Sequence, residues 1–349
     1  MGRMTAADPL SRAAGVSEEA LFPAALKVDS ADRIPVAHFE AIAAAGLYGI
    51  AGPAYAGGLD ADLATFCGVI EVMSAGCLAT TFVWLQHHSA VRALATTQNA
   101  ALRDQWLESL CQGTRRAGIA LGGARPGPPR LRARPVAGGY LLDGSAPWVT
   151  GWDMVDVVHT VARDEADNLI AALLPAQVGP TLQASRLDLV AVNASRTVEL
   201  AFNEHFVPAE LVSGVIPIGQ WLAMDARGLR PNGSLSLGVA ARCIRLLGQT
   251  SEPGSPGLLA AELAARRIAL DHAAAPRATS GSLPAARAAA SAFAFQAAGL
   301  LLATAGSQAI RHGAHPQRLA REALFLLVFG TRPAIKEHLV TLLAARSGN

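Results

Sequence analysis

The sequence predicts a three-part α+β chain: an N-terminal helical domain at 1–117, a middle antiparallel β-barrel or sandwich domain at 118–215, and a C-terminal four-helix bundle at 216–349. Three observations predict it. Apolar residues recur every three or four positions before about residue 117 and again after Gly219, the spacing of one helix face. Between them the texture changes to short alternating or β-branched runs separated by Gly, Pro, Asp and Asn, as strands require. The length, 349 residues, and the hydrophobic fraction, 51%, suit two or three domains around a large core and exclude a disordered or fibrous chain.

Each element has its own signal. PVAHFEAIAAAGL, LATFCGVIEVMSAGCLA and TTFVWLQHHSAVRALA carry the helical period, interrupted at Gly46 and in GPAYAGGLDAD. The polar run from Thr96 to Asn99 is suited to start the helix of ALRDQWLESLCQG, which Gly113 stops. The Pro- and Arg-rich run from Pro126 to Pro135 reads as a loop. In GYLLDGSAPWVTG, Asp143-Gly144 predicts a tight turn between two extended pieces. DMVDVVHTVAR and NLIAALLPA flank an acidic turn at Asp164 to Asn168, and SRTVELAFNEHFVP alternates with period two. Long Ala- and Leu-rich helices follow, and the breaks at Pro253 to Pro256 and Pro276 to Pro284 are short enough to join antiparallel neighbours.

Composition excludes several function classes. The net charge is +2, from 29 basic and 27 acidic residues, too weak and dispersed for nucleic acid. No run of about 18 consecutive apolar residues is present, so no membrane span is expected. The string MGRMTAADPLSRAAG lacks the apolar core of a secretory signal, and a cytoplasmic location is expected. Cys67, Cys77, Cys111 and Cys243 form no CxxC pair and suggest buried, reduced thiols, with no metal site. Adjacent helix residues point about 100° apart, so His87-His88 is a poor chelate and is read as packing. No G-x-S-x-G elbow supports hydrolase chemistry, and GGARPG lacks the Lys and hydroxyl of a phosphate-binding P-loop.

Four strings, spread between about Ile34 and Ala345, resemble the acyl-CoA dehydrogenase superfamily. They are GLYGIAGPAYAGG, GGYLLDGSAPWVTG, VELAFNEHFVPAELV and RLAREALFLLVFGTRPAIKEHLV, in the order and spacing of the predicted elements. The resemblance implies FAD lying on the β domain, with Trp148, Val149, Thr150 and Gly151 against the isoalloxazine and Thr331 near the cofactor's phosphates. It also implies an acyl-CoA or other acyl thioester substrate, and a homodimer or homotetramer of such subunits, or a heteromer with a catalytic paralogue. Arg321-Glu322 resembles the family's structural Arg-acid pair.

The departures from the family pattern concern its chemistry. The usual closing-turn Glu, the base that removes the α-proton, is replaced by Phe329 in Val328-Phe329-Gly330-Thr331, although the backbone N–H of residue 329 remains as a possible donor to the thioester oxygen. The alternative base position, at Gly228 or Leu229, is also without a carboxylate; Asp225 is the weak candidate for a relocated base, read mainly as an exposed acid at a helix start. The phosphate loop is reduced to Ala120-Leu121-Gly122-Gly123-Ala124-Arg125-Pro126-Gly127, without hydroxyls but with flexible backbone. GQTSEPGSPG stands where the family has its Arg and Phe-Gly loop, and Ala305-Gly306-Ser307-Gln308 where it has a Gly-Gly-x-Gly turn. Three functions remain open: a flavoprotein oxidoreductase acting on the CH–CH group of an acyl thioester, a flavin-dependent monooxygenase of the same superfamily, and a noncatalytic subunit of a heteromeric acyl-CoA dehydrogenase.

Overall fold

The computed structural model describes residues 8–125, 127–249, 255–279 and 281–345. Pro126, the 250–254 part of GQTSEPGSPG and the Pro253 end of its helix break lie outside the described residues.

The N-terminal helices are α1 (Pro9–Gly15), continued by a π-helical turn at Val16–Leu21, then α2 (Phe22–Asp29), α3 (Val36–Ala44), α4 (Leu63–Gly76), α5 (Leu78–Thr96) and α6 (Ala100–Gln112). Their starts follow capping chemistry. Asp8, Asp62 and Asn99 accept backbone N–H groups of the first turns of α1, α4 and α6, and Gly113, in left-handed conformation, ends α6.

The middle sheet contains β1 (Ala117–Ala120), β2 (Leu131–Val136), β3 (Gly139–Val149), β4 (Val157–Arg163), β5 (Asn168–Pro175), β6 (Leu182–Arg186), β7 (Val198–Pro208) and β8 (Val212–Pro217). The order is β6-β7-β3-β2-β4-β5-β8, with β1 also on β4. Most pairs are antiparallel, as expected. The exceptions are β1 and β2, which share one side of β4 in parallel because its other side is filled by β5 in a hairpin.

Two readings are corrected. The Pro126 to Pro135 run is not all loop: from Leu131 it forms β2, paired antiparallel with β3. Asp143-Gly144 does not reverse the chain; β3 continues through it, and the two-residue turn is Ala137-Gly138, with Val136 paired to Gly139. Gly144 takes φ +114° where the register against β7 slips by one residue, and Glu204 opposite takes φ +44°. The Asp164 to Asn168 turn forms as expected, its backbone N–H groups collected by the Asp164 carboxylate.

The last third comprises α7 (Ile218–Arg227), α8 (Leu229–Leu247), α9 (Ser255–Ala274), α10 (Ser282–Ala305), α11 (His315–Val328) and α12 (Pro333–Ala345). Helices α8 to α11 form the bundle, and α12 packs on α10. Among the described residues, only Ser282–Ile310 is long and apolar enough to cross a membrane, and half of its most apolar window is buried inside the bundle. Arg287 lies in that buried face, as suits a core helix rather than a lipid-facing one.

The N-terminal helices and the bundle share one apolar core, from Phe66 and Trp84 to Leu235 and Phe293, whereas the sheet buries its own around Leu142, Val149 and Phe202. Helices α4 and α8 cross so closely that a Cβ on Gly238 would sit 2.0 Å from Ser74 Oγ and 2.2 Å from the Glu71 carbonyl oxygen. Gly238→Leu is therefore expected to force the helices apart and to lower stability by about 1–3 kcal/mol, read as a shift of the urea midpoint. An unchanged midpoint would show that the crossing tolerates separation.

Candidate functional site

The end of β3, the first turns of α5 and the turn after α11 converge. A Cβ on Gly151 would lie 3.1 Å from Val83 on α5, and the neighbouring Phe82 ring stands 4.9 Å from Phe329 and 5.1 Å from Phe325, edge to face with both. Phe325 and Phe329 stack on each other at 5.5 Å. Phe329 is thus an aromatic wall between α5 and the closing turn.

On the ribbon, one extra residue of β3 between Ala146 and Val149 makes a bulge, and Trp148 occupies it with φ +63°. That conformation is uncommon for a bulky residue. It leaves the indole 56% exposed, while Val149 is fully buried in the sheet core. Thr150 is 2% exposed, its hydroxyl 3.3 Å from that of Thr197, which in turn meets Ser195 at 2.9 Å. The Gly151 N–H donates to the Ser195 carbonyl. Thr331 donates its hydroxyl to the Val328 carbonyl at 2.7 Å.

Two expectations about the closing turn are corrected. The residue 329 N–H already donates to the Phe325 carbonyl at 2.9 Å, closing the last turn of α11. Asp225 is not at a helix start but in the last turn of α7, where Arg332 Nε and Nη2 hold both its carboxylate oxygens at 2.7–3.0 Å. Arg332 also donates to the Gly330 and Thr331 carbonyls, so one guanidinium ties α7 to the turn.

The phosphate-loop expectation meets a packed loop. A Cβ on Gly122 would lie 2.5 Å from the Ser145 carbonyl oxygen, and one on Gly123 2.4 Å from the Ala162 carbonyl carbon. The Gly123 and Ala124 N–H groups donate to Val161 and Leu121, and buried Arg163 donates to the carbonyls of Gly123, Arg125 and Gly127. The glycines serve close packing against β3 and β4.

Sequence reasoning did not single out Arg163, Arg332, Ser195, Thr197 or Arg287, since no local pattern marks a partner distant in the chain. Arg287 is fully buried, and burial pushes its pKa down to about 10. It donates to Ser236, Ser291 and the Leu326 carbonyl, which the Ser291 hydroxyl also caps at 3.0 Å, so the two side chains together hold the last turn of α11. His87 and His88 pack as expected: His87 sits between the Leu110 carbonyl and the Ala117 N–H, and His88 lies edge-on to Phe66 and Trp84. Among the described residues no group of three His, Cys, Asp or Glu side chains could hold a metal ion.

Comparisons with known proteins bear on the fold. The family model described as acyl-CoA dehydrogenase, N-terminal domain, matches residues 10–114. The short-chain specific acyl-CoA dehydrogenase of Bos taurus is 24% identical over 235 residues, 64% of this chain and 57% of that protein. Benzylmalonyl-CoA dehydrogenase of Aromatoleum aromaticum is 26% identical over 198 residues, 55% of this chain and 52% of that protein. The chain spans a little over half the length of these curated relatives. Butyryl-CoA dehydrogenase from Megasphaera elsdenii superposes with a TM-score of 0.82 at 18% identity, covering 96% of this chain and 97% of that one.

Residues 10–114 match the acyl-CoA dehydrogenase N-terminal domain family, and the chain as a whole has the acyl-CoA dehydrogenase fold. A structure described as PigA with FAD and proline also superposes, with a TM-score of 0.83 at 19% identity over 99% of both chains. In this fold the ribbon, α5 and the closing turn of this chain form the candidate site.

Proposed function

We propose that this chain acts within an acyl-CoA dehydrogenase-type oxidoreductase, on the CH–CH group of an acyl thioester, as the subunit without an α-proton base. An active paralogue supplies the base and the missing cofactor donors. The observation that carries this reading is the closing turn. Phe329 offers a ring packed on Phe82 and Phe325, and Asp225, the relocated-base candidate, has both oxygens engaged by Arg332.

The residues here do not fit an FAD held by this chain alone. Flavin recognition needs donors for the polar edge of the ring and for the phosphates. The Thr150 and Thr331 hydroxyls and the N–H groups of Gly151, Gly123 and Ala124 all have partners inside the chain. What remains for a bound molecule is mainly aromatic: the exposed Trp148 indole, with its single Nε1–H donor, and the wall of Phe82, Phe325 and Phe329. These would shape and dry a shared site without moving a proton.

A second reading, an autonomous FAD-dependent oxidoreductase, is favoured by Trp148 itself, a strained and exposed aromatic on an otherwise buried ribbon. Absorbance separates the two. The subunit reading expects a colourless purified chain that leaves the spectrum of added FAD unperturbed, and Phe329→Glu alone should restore no acyl-CoA bleaching. Coexpressed with its paralogue, the chain should give a yellow complex that acyl-CoA bleaches anaerobically. A yellow chain purified alone would overturn this in favour of the autonomous enzyme.

A further inference from the structure

Three parts of the chain meet at Arg321, on α11 about two turns before Phe329. Its Nη1 donates at 3.0 Å both to Asp29 Oδ1 on α2 and to the Val190 carbonyl in the loop between β6 and β7, while Nη2 takes the second Asp29 oxygen and Nε takes Gln317, one turn back. That loop is closed by the Leu187 N–H on the Thr197 carbonyl, and it carries the ribbon. The Gly151 N–H donates to its Ser195 carbonyl at 2.8 Å, the Trp152 N–H donates to its Arg196 carbonyl at 3.2 Å, and the Arg196 guanidinium pairs with Asp153. Strain shows that the loop is held from outside. Val192 is 4% exposed and takes φ +51°, and Arg196 takes the same angle. A buried β-branched residue in left-handed conformation persists only where its surroundings fix it. Here Arg321 fixes one end of the loop and the ribbon the other.

We propose that Arg321 is a positioning residue for the candidate site, a strut that sets the ribbon carrying Trp148 against the wall carrying Phe329. Both sides then depend on one helix: α11 ends in the aromatic wall, and through Arg321 and the Val190 carbonyl it grips the loop on which the ribbon rests. A charged donor makes a strong hydrogen bond to a carbonyl, and the planar guanidinium fork lets one side chain serve two acceptors at fixed angles. The strut goes beyond the function argued above and does not rest on it, because the ribbon and the closing turn form the site in both readings.

Amide hydrogen exchange of the full chain, read at Gly151 and Trp152, tests it. Arg321→Met should speed exchange at these two amides at least about tenfold, the equivalent of one charged hydrogen bond lost, while the amides of β4 keep their native rates. Arg321→Lys keeps a charge for Asp29 but has no fork for the Val190 carbonyl, so it should hold the urea midpoint near that of the native chain and still speed the two ribbon amides. Should Arg321→Met fail to fold, the lysine variant carries the test. Native exchange rates at Gly151 and Trp152 in Arg321→Lys, or a rise shared equally by the β4 amides, overturn the proposal, because Arg321 would then serve only to hold α11 on α2.

Discussion

Lowering the pH from about 6.5 to about 4 is expected to remove several kcal/mol of stability, with His87 a leading contributor. Burial pushes His87 down to about 3 and His159 to about 4, and drives His88 well below the ordinary histidine value of 6.5. For groups whose folded pKa is depressed, the unfolded chain takes up more protons. Their stabilising contribution is therefore complete above about 6.5 and is lost progressively as the pH falls toward the folded values. For His87 the loss between pH 6.5 and 4 is about 3 kcal/mol, at 1.4 kcal/mol per pH unit.

The hydrogen bonds explain why this ring resists protonation. His87 Nδ1 accepts the Ala117 N–H at 3.1 Å, which leaves the proton on Nε2 to donate to the Leu110 carbonyl, also at 3.1 Å. A proton on Nδ1 would face the Ala117 N–H, and α5 would lose its grip on the start of β1. The check is denaturant unfolding across pH 4–8 for the native chain and for His87→Gln. The variant should be less stable at pH 8 by about 1–3 kcal/mol, through the unmade bonds, yet flatter below pH 6.5. Equal slopes in both proteins would sink the argument.

The architecture was legible because periodicity and capping are local. The bounds of α6 follow from Asn99 and Gly113 alone, and the β4–β5 turn from Asp164. Legibility failed where a distant partner decides. Asp143-Gly144 has turn chemistry, but β7 pairs on both sides of it, so the same glycine makes a slip within one long strand. Asp225 took its meaning from Arg332, and the ribbon hydroxyl Thr150 from Thr197, pairings that no local pattern encodes. The aromatic wall at Phe329 was readable in kind, as a loss of carboxylate, but its partner Phe82 lies some 250 residues earlier.

The Arg-acid pair of α11 shows the same limit and yields a strong test. Neighbouring helix residues point about 100° apart, so Arg321 and Glu322 cannot share a face. Arg321 reaches across to Asp29 on α2, and Glu322 pairs instead with Arg318, one turn back, at 3.0 Å with both side chains buried. Burial pushes the Glu322 carboxyl up, to about 7, while Arg318 pulls it down. Arg318→Met leaves that carboxyl buried without its cation, and the expected cost is about 3–5 kcal/mol at pH 8. An acid whose folded pKa is raised stabilises the native state fully below its ordinary value of 4.5, and that contribution is lost as the pH rises through about 7. Removing Arg318 raises the pKa further, so the variant's deficit should shrink at pH 6, where Glu322 is protonated, and widen toward pH 8. Arg318→Met with Glu322→Leu should recover most of the loss, since an apolar pair of similar volume demands no charge compensation. Denaturant midpoints for the three proteins at the two pH values decide it. A deficit that stays constant with pH, or a double variant no better than the single, would show that α11 is held by packing alone, and that this ion pair does not anchor the helix carrying Phe329 into the site.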